Sequence, residues 1–199
     1  MTNFIPIFPL NTVVFPTQTL KLHIFEERYK QLIHYCVEEK KPFGMPVVFT
    51  KGIGEYGTLL EVKSIEYTHA DGSMDIEVVG MQVFQLLTVV AEIPGKLYSG
   101  AIVNYPDNIM QGKPLLHTKV IDLVHKLYKQ LNVELPIALQ NTSSYDLAAV
   151  VGLDTMQRYR IVSLFEEDHR LQYLRLHISE FLKHEESSLA SLLSNINYN

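Results

Sequence analysis

Residues 57–90 read GTLLEVKSIEYTHADGSMDIEVVGMQVFQLLTVV, and this stretch decides the fold. It predicts two long strands joined at Asp71-Gly72, a pair that tolerates positive φ and suits a tight hairpin turn. Before the turn, Leu60 and Val62 share one parity and Ile65 and Tyr67 have the other. Strand side chains alternate with a period of two, so the apolar face flips near Lys63-Ser64, and a bulge or sharp bend is required there. After the turn, Met74, Ile76 and Val78 alternate with Asp75 and Glu77. Gly80 follows, and a glycine inside a strand marks a bend. Two bent strands predict a sheet that curls towards a barrel.

Upstream, the run IPIFPLNTVVF carries Pro6 and Pro9, which confine it to a broken edge strand. Leu20, Leu22 and Ile24 alternate with Lys21 and His23 in a short strand. The period then changes: Phe25, Tyr29, Leu32, Ile33, Cys36 and Val37 fall on one face of a helix that Pro42 stops. This helix is expected to plug one end of the barrel. Met45–Thr50 reads as a buried strand, Lys51–Tyr56 as a glycine-rich loop and Tyr98–Asn104 as the last strand.

Beyond residue 108 the strand pattern gives way to helical stripes. Leu116, Val120, Leu123, Val124, Leu127 and Leu131 form the first. Ser143 with Asp146, and Asp154 with Gln157, have the spacing of capping boxes that open two further helices. Asp168 is placed to cap a last helix through Leu171, Leu174, Ile178, Phe181 and Leu182, and a polar tail from Ser187 follows. The fold class is therefore α+β: a six-stranded-type β pseudo-barrel with one helix over 1–108, then a helical bundle over 109–199.

Hydrophobic residues are 47% of the 199 and charged residues 20%, an ordinary globular balance. The formal charge of −5 argues against general binding to nucleic acid or anionic membrane. A single cysteine, Cys36, excludes an internal disulfide and fits a reducing compartment. The N-terminus has no basic leader, and no apolar run approaches the roughly 20 residues of a membrane helix. The expectation is a cytoplasmic protein without membrane association.

In their order, IPIFPLNTVVFP (5–16), LHIFEERYKQLI (22–33), GTLLEV (57–62), the Asp71-Gly72 turn, Gly80–Phe84, DLAAVVGLD (146–154) and the run from Met156 to Glu185 resemble the amino-terminal domain of Lon proteases and its stand-alone relatives. The family's Gln and its Arg-Leu pair fall at Gln157 and Arg170-Leu171. Its basic residue ahead of the hairpin aromatic is replaced here by Val83, before Phe84. The resemblance implies a barrel similar to PUA-type domains followed by helices, acting in substrate recognition. The ATPase and peptidase of full-length Lon are not expected. The sequence holds no G-x-x-x-x-G-K-[ST] loop, and Gly95-Lys96 is followed by Leu97.

No residue set announces catalysis, a cofactor or a metal. His184-Glu185 begins an H-E-x-x-H pattern that Ser188 breaks, and His69 near Asp71 reads as a turn. Cys36 lies on an apolar stripe and reads as core. Glu166-Glu167-Asp168 reads as a solvated, helix-capping turn. Ile53, Tyr56, Ile109 and Met110 stand in or beside loops, outside clean core periodicity, and are the candidate partner-binding residues. The expected function is non-enzymatic binding of unfolded polypeptide or of a specific protein partner. The competing reading is a PUA-type module for RNA or a small molecule.

Overall fold

The computed structural model describes residues 2–183. The expectations for His184-Glu185 and for the polar tail lie outside the described residues. The chain divides into two compact units, Met1–Pro106 and Asp107–Asn199.

The first unit is built on β4 (Gly52–Thr68) and β5 (Met74–Val90), the hairpin read from the sequence. Its register shifts between Val62 and Ser64, where the parity flips, and again where Leu59 and Leu60 meet Gln82 and Gly80. At the turn only Gly72 has positive φ, at 78°. His69 and Ser73 close the loop, with Ser73 capped by the Asp71 side chain at 3.0 Å. It is thus a five-residue connection with one left-handed glycine, longer than the tight turn expected at Asp71-Gly72.

Three strands pair with β5. β2 (Thr19–Ile24) joins its first half and β6 (Gly100–Asn104) its second, while β4 runs along the other edge. The ladder order is β1-β6-β5-β4-β3, where β1 is Thr2–Pro6 and β3 is Phe43–Phe49. Every ladder is antiparallel. The expected closed barrel is corrected here, because the sheet is open between β1 and β3. The chain after β1 meets β3 only through isolated parallel bridges, Ile7 with Gly44 and Leu10 with Val47. Phe8 donates to Gly44 and Val48 donates to Leu10, but Pro46 between them has no N–H to return. A continuous ladder cannot form.

Lys51–Tyr56, expected as a loop, is mostly strand. Phe49 pairs with Gly52 around a two-residue turn, and Ile53 already pairs with Val48. The last strand is shorter than expected, starting at Gly100. α1 (Glu27–Glu39) covers the sheet with Tyr29, Leu32, Ile33 and Cys36, which join Phe43, Leu60, Ile76 and Val78 in one apolar cluster. Phe25 departs from the expected stripe and is 64% exposed, because the helix begins only after Glu26. Val37, at the margin of the stripe, is also exposed. Burial pushes the Cys36 thiol up to about 12, which keeps it an unreactive core residue. Val83 is buried, so the apolar residue suits its position in β5.

The second unit contains α2 (Pro114–Leu131), α3 (Ser144–Val150), α4 (Thr155–Val162) and α5 (Glu167–Phe181). Both capping boxes form as read, Ser143 with Asp146 and Asp154 with Gln157. Asp168 does not cap α5; it sits in the first turn and accepts from the backbone N–H of Lys113 at 2.7 Å. Glu167 is not solvated either. It is buried against Arg170, whose side chain is fully buried, at 2.7 Å. Arg170 also donates to Ser144 Oγ, Asn108 Oδ1, and the carbonyls of Leu164 and Ile109, and it stacks on Tyr145 at 4.5 Å. One guanidinium therefore ties α3 and α5 to the segment that enters α2.

Two stability outcomes follow from these contacts. Gly72→Val should cost about 1–2 kcal/mol, since a branched residue resists the left-handed region while its Cβ meets only the end of Lys30, at 3.6 Å. An unchanged melting temperature would contradict the turn geometry. Arg170→Met should cost about 3–5 kcal/mol in urea unfolding, because Glu167 is left as a buried, unpaired charge. A loss below about 1 kcal/mol would contradict the role assigned to that pair.

Candidate functional site

A cleft of about 350 Å³ lies in the first unit where α1, β1 and the loop before β6 meet. Ile5, Pro6 and Tyr98 are buried and form its base. Tyr35, Pro42 and Ile93 are half-buried, and Phe4, Lys41 and Lys96 stand at the rim.

Local turn chemistry shapes the loop that carries Lys96. Ile93-Pro94-Gly95-Lys96 forms a turn in which Lys96 N donates to Ile93 O at 3.0 Å and Gly95 has φ 75°. Proline then glycine at the two central positions is the type II pattern. The glycine-lysine pair that fails as a phosphate loop thus serves to aim Lys96. Gln31 of α1 accepts from the N–H of Leu97 at 2.7 Å, and Ser99 Oγ donates to Ala91 O at 3.0 Å, so both ends of the loop are tied down.

Within the cleft, the Lys96 ammonium lies 4.9 Å from the Tyr35 ring and 5.9 Å from the Tyr98 ring. Lys41 lies 5.7 Å from the Tyr35 ring and donates to its hydroxyl at 3.4 Å. The two tyrosine rings are 6.1 Å apart and tilted by 38°. Burial, helped by the neighbouring Tyr35 and Cys36, pushes the Tyr98 hydroxyl up to about 12, so it stays a neutral donor. The cleft offers an apolar, aromatic base under two cations. It suits an apolar or aromatic side chain flanked by negative charge.

The sequence candidates lie elsewhere. Ile53 and Tyr56 belong to β4 in the first unit; Ile53 is exposed and Tyr56 half-buried opposite Gln85. Ile109 and Met110 belong to the second unit and are both exposed. The backbone of Ile109 is engaged, bridging Glu166 and accepting from Arg170, and Met110 Sδ accepts from Arg170 at 3.4 Å. Sequence reasoning missed the cleft because α1 and a distant loop build it jointly. The Pro94-Gly95 turn followed by Lys96 was the one local signal available.

It also missed a polar group on β2 and β5. His23, His69 and Asp75 converge there, and the hydrogen bonds from the two imidazoles hold the Asp75 carboxyl below the usual carboxylate range. No described helix is long and apolar enough to cross a membrane.

The family model for the ATP-dependent protease La (LON) substrate-binding domain matches residues 5–179. The chain belongs to this family. Among solved structures, the Lon N-terminal domain protein from Xanthomonas campestris is similar with a TM-score of 0.67 and 22% identity, over 86% of this chain and 96% of that one. The N-terminal domain of Mycobacterium avium complex Lon protease is similar with a TM-score of 0.69 and 12% identity, over 89% and 99%. At these identities the likeness establishes the Lon N-terminal fold. The family match covers the Arg170 network and the cleft residues from Ile5 to Tyr98.

Proposed function

We propose that this chain is a non-enzymatic polypeptide-binding module that holds unfolded or extended segments in the cleft beside β1. The observation that carries the reading is the aromatic base under Lys41 and Lys96, in a chain whose family is defined by substrate binding. β1 stands at one end of the ladder order, so an extended segment laid along it would lengthen the sheet while a side chain enters the cleft. Phe4 would flank that side chain, and the two lysines would select an acidic neighbour. The 1–108 portion carries this cleft and would offer Ile53 and Tyr56 on β4 as further contacts; the 109–199 portion, taken by itself, would offer Ile109 and Met110 as a separate contact. A cytoplasmic setting suits the single buried thiol.

The test is fluorescence anisotropy of the full chain with a labelled, permanently unfolded model polypeptide. Phe4→Ser combined with Lys96→Glu changes two rim residues and should leave the fold intact. The expected loss is about 2 kcal/mol, close to thirtyfold in affinity, as for a binding hot spot. Ile53→Ser and Ile109→Ser should each weaken binding by a smaller factor. Unchanged affinity in the rim variant would overturn the cleft assignment. Tighter binding of single-stranded RNA than of polypeptide would overturn the proposed class of ligand in favour of the PUA-type reading.

A further inference from the structure

The group at the turn end of the central hairpin is not needed for the proposed polypeptide site. Register creates it. β2 pairs antiparallel with β5 so that His23 stands opposite Asp75, and β4 pairs with β5 so that Tyr67 also stands opposite Asp75. His69, just past the end of β4, brings its ring back over the same strand. His23 Nδ1 lies 2.7 Å from one Asp75 oxygen and His69 Nε2 lies 2.8 Å from the other. The three potential donor atoms all fall within 4.8 Å of one another.

Two imidazoles and one carboxylate, on three separate pieces of backbone, are the donor types that zinc and its neighbours take. The support around them is already in place. The two histidine rings meet edge to face, with centroids 5.4 Å apart, and the Tyr67 ring meets His69 in the same way at 4.7 Å. Phe25, exposed and outside the core, stacks on His23 at 6.1 Å. The loop that carries His69 is pinned by His69 N to Ser73 O at 2.8 Å and by Ser73 Oγ to Asp71 at 2.7 Å. Nearby charges are paired among themselves: Lys21 with Glu66 at 2.9 Å, Lys30 with Glu27 at 2.9 Å and Lys63 with Glu77 at 3.6 Å. Asp75 is left to the two histidines.

We propose that His23, His69 and Asp75 form a binding site for a divalent transition-metal ion of the zinc class. The ion would replace the two hydrogen bonds now made to Asp75, with each imidazole turning its proton to the far ring nitrogen. The side chains are 38–52% exposed, so solvent reaches the remaining coordination position. Such an ion would clamp β2 to the hairpin turn, and binding would raise the stability of the first unit.

Titration of the full chain with zinc chloride by calorimetry tests this, with cobalt as a spectroscopic probe. The expected result is one ion per chain, visible d–d bands of tetrahedral or five-coordinate cobalt, and a rise in melting temperature on adding zinc. His23→Ala, His69→Ala and Asp75→Asn should each weaken zinc binding by about tenfold or more. His34→Ala, an exposed histidine on α1, should not. Circular dichroism of each metal-free variant controls for folding. No heat and no cobalt bands at millimolar metal would overturn the site, as would zinc binding that survives both histidine changes.

Discussion

β5 is the constraint on which the first unit depends. One 17-residue strand pairs with β4 from Met74 to Gln85, with β2 from Met74 to Val79 and with β6 from Gln85 to Val90. That sharing needs a glycine at position 80, beside the bulge where Leu59 pairs with Gln82 and Leu60 with Gly80. A side chain there would drive a Cβ into the carbonyl oxygen of Phe15, whose segment crosses at this point. The crossing chain is fixed by Thr17 N to Gly80 O at 2.8 Å and Gly80 N to Gln18 O at 2.9 Å. Close backbone approach, rather than turn chemistry, is what this glycine supplies.

The sharing has consequences at both ends of β5. At the turn end, pairing with β2 brings His23 against Asp75. At the other end, pairing with β6 leads into the loop that seats Tyr98 and Lys96 beside α1. The cleft and the histidine group are thus separate products of one strand. The second unit is held differently, by a buried ion pair whose remaining donors are all used. Full use of a guanidinium's donors offsets the cost of burying it.

Where local chemistry dictates geometry, the sequence was readable. The parity flip at Lys63-Ser64 called for a bulge or a sharp bend and the register shifts there, and both capping boxes formed at the residues that spell them. Where geometry comes from register or from two distant segments, it was not. Nothing in the spacing of His23, His69 and Asp75 connects them until β2, β4 and β5 are aligned. Arg170 and Glu167 look like surface charges until burial makes them a pair. Glycine-rich 51–56 resembles a loop, yet its pairing with β3 makes it strand. The barrel failed to close for a reason visible only in three dimensions, the proline at position 46 facing a segment that needed an N–H.

The cleft beside β1 is the proposed seat of the bound polypeptide. Hydrogen exchange of the full chain, followed by mass spectrometry with and without a saturating unfolded polypeptide, tests it most directly. Slowed exchange is expected in residues 2–6, 35–42 and 93–98, with the β4–β5 turn unchanged. Protection that avoids these three segments and appears elsewhere would contradict it.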